Sequence, residues 1–357
     1  MTVTRRQFLG FAAGAVSAAA ASGILPRIGS AAPAYRIAWS RYVGWEPWGY
    51  MKSFGIMDKW AKKYGVNIDI QYVDDYMASV TQYTQGAFQG VTVTNMDALT
   101  VPAVGGVDTT ALIVGDFSNG NDGVVVRNGK NVRDLKGRNV YIVELSVSHY
   151  LLARALEMNK MSERDMKLAN TSDRVIQQTY LSDGDPKAAV VTWNPMLMNI
   201  RTLDKHGAMV FDSSQTPGEI IDMLVVRTDT PDTVKKALVG AWYEAMSVMY
   251  GNGQKTHEAL SYMSQESGAT LAQFKAQLKT TAMFHKPADG RTFAGSALLK
   301  KTMEYVRTFS FDHGMYEGKS RDHVGMEFPD GTKMGDLKNI KLRFDSRYMH
   351  MAAEGKL

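Results

Sequence analysis

Short apolar runs separated by longer amphipathic stretches set the rhythm of this chain. Val66, Ile68, Ile70 and Tyr72 alternate with more polar neighbours, as one face of a half-buried strand requires. Compact apolar runs at 35–39, 90–94, 110–114, 139–143, 188–192 and 208–211 predict further strands, each followed by turn residues or a helical stretch. Helical spacing is clearest at Leu151, Ala155 and Met158, at Val234, Leu238, Trp242, Ala245 and Met249, and at Leu299, Met303 and Val306. Those faces are read as core. Strand and helix in alternation predict an α/β protein built on parallel, doubly wound sheets with helices on both faces.

The chain also echoes itself. Asp122-Gly-Val-Val-Val-Arg127 and Asp222-Met-Leu-Val-Val-Arg227 are near copies and bracket the middle of the sequence. A chain that leaves one lobe, builds a second and returns needs two connecting strands, so the copies predict a pair of hinge strands lying side by side. The alternative is coincidence between two ordinary buried strands.

The N-terminus changes what the remaining residues are for. Arg5 and Arg6 lead into an Ala/Gly-rich apolar stretch and then small residues around Ala31 and Ala32, the pattern of a signal peptide. The order Thr4-Arg5-Arg6-Gln7-Phe8-Leu9 resembles the twin-arginine export motif, so residues 1–34 are expected to direct export to the periplasm and to be removed between Ala32 and Tyr35. An uncleaved anchor is the alternative, for which the stretch is short. The formal charge of +5 falls to near +2 once Arg5, Arg6 and Arg27 leave, so no nucleic-acid partner is expected. There is no cysteine, hence no disulfide, thiolate metal site or lipid-bearing cysteine. The remaining length of about 320 residues suits two lobes.

Candidate site residues follow from strand ends. In doubly wound sheets ligands bind beyond the carboxyl ends of the strands. Tyr42 and Trp45 follow the first strand; Asn95, Asp97, Asp116, Glu144, Ser146, Trp193, Asp212 and Ser214 follow later ones. Glu144 is foremost, because an acid directly after an apolar run is awkward to bury without a partner. Asp116 and Asp212 also suit Asx turns, Asp97 a helix cap, and Trp45 lobe packing. Carboxylates beside indole rings fit a small planar cation such as guanidinium better than an oxyanion, since its N–H groups meet acceptors and its face stacks on aromatics. The histidines show no His-x-x-x-His spacing and no nucleophile elbow, Walker loop or dinucleotide glycine run is present, so no metal centre, cofactor or catalytic residue is expected.

Several of these segments carry a family resemblance. Trp193-Asn194-Pro195 after a strand, Ser214-Gln-Thr-Pro-Gly-Glu219 before the returning strand, the closing Phe344-Asp-Ser-Arg-Tyr-Met349 and the order of elements resemble the nitrate/sulfonate/taurine branch of ABC-transporter substrate-binding proteins. The likeness covers nearly the whole mature chain, and is nearest to the subgroup associated with urea carboxylase regions, whose ligand is urea or guanidine. It implies a two-lobed type II periplasmic-binding fold, with 35–122 and 228–330 as the first lobe, 123–227 as the second, and 331–357 as a tail packed on the first. It also implies a monomer that captures a small molecule by hinge closure and delivers it to an inner-membrane permease. Binding of taurine, sulfonate or nitrate stays open, as does a sensor or enzyme on the same fold. The pyrimidine-synthesising relatives use a cysteine-rich motif, from which this chain departs.

Overall fold

The computed structural model describes residues 34–316 and 318–357. The expected export signal therefore lies, apart from Ala34, outside the described residues. Among the described residues no helix is long and apolar enough to cross a membrane.

The chain lays down β1 (Tyr35–Trp39), β2 (Ile68–Tyr72), β3 (Gly90–Thr94) and β4 (Thr109–Ser118) in one sheet. It then builds a second sheet from β5 (Asp122–Arg127), β6 (Asn139–Ile142), β7 (Lys167–Asn170), β8 (Ala189–Trp193) and β9 (Gly207–Asp212). It returns to the first sheet with β10 (Ile221–Arg227), β11 (Thr281–Met283), β12 (Gly325–Glu327), β13 (Lys333–Met334) and β14 (Ile340–Phe344). The first sheet runs β13-β12-β14-β4-β10-β3-β1-β2, with β11 against β4; the second runs β7-β6-β8-β5-β9.

Both sheets are mixed rather than wholly parallel. β10 lies antiparallel between β3 and β4, and β5 antiparallel between β8 and β9. The two near-copied runs are therefore not side by side: each sits between two neighbours in a different sheet. They resemble one another because each is a strand flanked on both sides, with apolar residues along its length and an acid where it begins. The crossings are instead the loops 119–121 and 213–220. These are stitched together by the Ser213 hydroxyl, which accepts the Gly120 N–H at 2.8 Å and meets the Ser118 hydroxyl at 2.6 Å.

Helices cover the sheets as the apolar spacing requires. Helix Asp232–Met249 buries Val234, Leu238, Trp242, Ala245 and Met249, and Trp242 stacks on Trp48 at 5.2 Å. Helix Val147–Met158 starts where the Ser146 side chain accepts the Ser148 N–H, and buries Leu151 and Ala155 but leaves Met158 exposed in its last turn. Helix Ala297–Asp312 buries Leu299, Met303 and Val306. The C-terminal segment does more than pack on the first sheet: β14 extends that sheet, parallel to β4.

Candidate functional site

Strand register brings a set of acids to one place. Asp222, at the start of β10, lies directly opposite Asp116 at the end of β4 and opposite Thr94 at the end of β3. Asp122, at the start of β5, lies opposite Trp193 at the end of β8. Because β5 and β10 run against their neighbours, their first residues share a level with the last residues of the strands beside them. The crossings join these levels, so Asp116, Asp122 and Asp222 line one enclosed cavity with Tyr42, Trp45, Tyr76, Thr94, Asn121 and Trp193.

The loop after β1 closes this cavity from above. Gly44 passes so near Asp116 that a Cβ there would stand 2.6 Å from its Oδ2, so a larger residue would seat only if that carboxyl shifted. Beside it, the Tyr42 ring meets Trp45 edge-on at 5.2 Å and Trp193 of the second sheet edge-on at 5.9 Å. The Tyr42 hydroxyl donates to Asp173 Oδ2 at 2.9 Å, on the first turn of the second sheet's helix Asp173–Ser182. Asp74 and Arg174 approach at 3.4 Å beside it. Tyr42 thus separates the enclosed cavity from an outer groove bounded by Arg41, Asp173 and Arg174.

Inside, acceptors outnumber donors. The Asp116 carboxyl faces that of Asp222 at hydrogen-bonding range, a contact that needs one of the two protonated; otherwise neither its oxygens nor the Asn121 carboxamide oxygen has a hydrogen-bond partner among the described residues. The Trp45 N–H is an unpaired donor; that of Trp193 lies near the Tyr42 hydroxyl, short of a hydrogen bond. The other hydroxyls are committed: Tyr76 donates to Asp97 at 2.6 Å, Thr94 donates to Asp97 at 2.8 Å, and Ser118 donates to Asp122.

No basic residue lines this space. Burial, and then the charge of Asp222, hold the Asp116 carboxyl well above the usual carboxylate range. Burial and the charge of Asp122 push Asp222 up to about 8. Asp222 keeps some accessible surface, but it borders the cavity and is enclosed by protein. Burial lifts Asp122 to about 6 against the opposing hydrogen bond from Ser118. Facing carboxylates on adjacent strands repel when both are ionised, so the empty site holds protons in place of a counter-ion. The cavity leaves about 40 Å³ for the centre of a water-sized body. One water needs on the order of 10–15 Å³ by that measure, so the space suits a guest of about three or four non-hydrogen atoms.

Of the residues expected from sequence, Tyr42, Trp45, Asp116 and Trp193 meet here. The others lie outside the lining. Glu144, the foremost candidate, is half-buried, and its N–H donates to Asn170 Oδ1. Asp97 is buried, and its Oδ2 accepts from Tyr76 and Thr94, which line the cavity, while its Oδ1 has no partner among the described residues. The Asn95 side chain bridges the returning segment, accepting from the Ile221 N–H and donating to the Glu219 carbonyl. Ser146 is a helix cap, and Asp212 and Ser214 close an Asx turn. Asp122 and Asp222 escaped the strand-end rule because each begins an antiparallel strand. The signal that finds them is an acid opening an otherwise fully apolar run, which burial leaves in need of a partner.

No family model matches the chain, and no curated relative does. Among solved structures it is similar to the alkanesulfonate-binding protein SsuA from Xanthomonas axonopodis pv. citri bound to MOPS, with a TM-score of 0.65 at 15% identity over 81% of this chain and 96% of that one. It is similar to the periplasmic aliphatic sulphonate binding protein SsuA from Escherichia coli, with a TM-score of 0.65 at 14% identity over 81% and 91%. It is also similar to a periplasmic sulfonate-binding protein SsuA from Methylobacillus flagellatus KT, with a TM-score of 0.65 at 12% identity over 91% and 95%. The chain therefore has the two-lobed periplasmic-binding-protein fold, with the acidic cavity between its two sheets.

Proposed function

We propose that this protein is the periplasmic solute-binding component of an ABC importer and that its ligand is a small planar nitrogen cation of the guanidinium class. One observation carries the ligand reading: the carboxyl groups of Asp116, Asp122 and Asp222, with no basic partner among the described residues, share one small cavity, and the oxygens of Asp116 meet no donor there other than a carboxyl proton. A guanidinium ion offers in-plane N–H donors to the acids and a flat face to the indole and phenol rings, and a desolvated charge-assisted bond contributes about 1.5–3 kcal/mol. Capture proceeds by closure about the two crossing loops, with Tyr42–Asp173 and Asp74–Arg174 as the contacts made across the mouth. The closed form is what a permease would recognise, and residues 1–34 would act as the twin-arginine export signal of a chain that is a monomer and catalyses nothing.

The solved structures of similar fold favour a second reading, a sulfonate ligand. Against it, an anion in this cavity would require Asp116, Asp122 and Asp222 to stay protonated, with the indole N–H groups of Trp45 and Trp193 as its remaining donors. Calorimetry on the mature protein with guanidinium, urea, methylammonium, taurine and nitrate separates the two. Guanidinium binding at least about tenfold tighter than its neutral isostere urea, with no turnover of either, is the expected result. Tighter binding of taurine or nitrate than of guanidinium overturns it.

A further inference from the structure

We propose that His149, Glu163 and His313 form a divalent-metal site, of the two-imidazole, one-carboxylate kind that suits Zn²⁺, which ties the second lobe to the helix Ala297–Asp312. Sequence spacing gives no hint of it, because the three residues come from separate elements. His149 stands in the first turn of helix Val147–Met158, Glu163 in the 3₁₀ turn Glu163–Asp165, and His313 caps the end of helix Ala297–Asp312. The fold places one ligand atom of each within 4.8 Å of the others.

Two of the three separations are close to those of a loaded site. Ligand atoms about 2.0–2.1 Å from a tetrahedral Zn²⁺ stand roughly 3.3 Å apart. His149 Nε2 lies 3.3 Å from Glu163 Oε1, and His313 Nε2 lies 2.8 Å from the same oxygen. Glu163 and His313 are both partly exposed, so the shorter separation has room to widen. His149 is buried, and its Nε2, aimed into the cluster, makes no well-formed hydrogen bond among the described residues and faces Glu163 Oε1 at 3.3 Å. His313 is oriented as metal ligands are: its Nδ1 lies 2.8 Å from the Phe309 carbonyl, which fixes a proton there and frees Nε2.

One contact sets the cost of loading. His149 Nδ1 accepts the Leu145 N–H at 3.1 Å, so without metal the ring proton sits on Nε2. Metal binding sends that proton to Nδ1 and turns the Leu145 amide away. Leu145 is exposed and holds φ at 61°, a left-handed conformation that a leucine rarely adopts, so a change in this turn also relieves strain.

The test is titration of tag-free, chelator-treated mature protein with Co²⁺ and Zn²⁺ in the absence of any small-molecule ligand. One Co²⁺ per chain with the visible absorption of a four- or five-coordinate ion, displaced by Zn²⁺, is expected. His313→Ala and Glu163→Gln change partly exposed side chains, and each should weaken the ion by at least about a hundredfold with the circular dichroism unchanged. A changed amide resonance for Leu145 on Zn²⁺ addition reports the turn. Absence of stoichiometric binding, or binding that survives both substitutions, overturns the proposal.

Discussion

Lowering the pH should expel a cation from the acidic cavity. The facing Asp116 and Asp222 are both held above the ordinary carboxylate range, Asp116 by burial and the charge of Asp222, and Asp222, at about 8, by burial and the charge of Asp122. A bound guanidinium needs those oxygens ionised, so proton and cation compete for one place. If the proton that must leave has the value of Asp222, affinity is divided by one plus the proton-bound ratio. Between about pH 8 and about pH 6 it should fall roughly fiftyfold, with a slope approaching tenfold per unit at the acid end. Asp122, at about 6, steepens the fall further below that. The stability of the empty protein should move the other way. Groups whose folded pKa is raised bind more protons in the native state than in the unfolded chain, so their contribution is full below the unfolded carboxylate pKa of about 4 and is lost as pH rises through the folded values. Titration calorimetry across this range, repeated in buffers of different ionisation enthalpy, reads both the affinity and the proton released, expected near one per cation bound at about pH 7. Guanidinium affinity that is flat with pH, or stronger in acid, or bound without proton release, would refute the competition.

Asp116→Asn should weaken guanidinium by about ten- to a hundredfold, the range of one lost charge-assisted bond, and raise the melting temperature of the empty protein, more at about pH 8 than at about pH 5; a drop in both would mean the acid is structural. Tyr42→Phe removes the hydroxyl that bridges to Asp173 while keeping the aromatic roof, so the affinity loss should stay within about tenfold and appear in the dissociation rate by stopped flow. Gly44→Ala drives a methyl against Asp116 Oδ2 and should abolish binding with the protein still folded by circular dichroism; retained affinity would show that the loop has room to shift. Glu144→Gln should leave guanidinium affinity within about twofold by calorimetry, since the side chain lies outside the cavity.

The periodicities determined a good deal on their own. Apolar runs bounded by turns placed strands at 35–39 and 90–94 with the bounds the fold uses, and the spacing of Val234, Leu238 and Trp242 marked a buried helix face, because burial on one side is a local property that repeats with the element's own period. The position of Trp193 and Asp116 at the cavity was legible for the same reason: both end strands, and strand ends at this edge of a sheet face a cleft. What stayed hidden depended on partners far away in sequence. Whether Asp122 and Asp222 serve the cleft or the exterior turns on the direction of β5 and β10 relative to their neighbours, and strand direction is set by pairing rather than by the strand's own residues. That Glu144 lies off this cavity was not legible, because an acid after an apolar run looks the same in sequence whether the chain next turns toward the gap or toward water. The fold made that decision, by closing a turn at Leu145 that leaves Glu144 against Asn170, and by bringing Tyr42 from one sheet over Trp193 of the other.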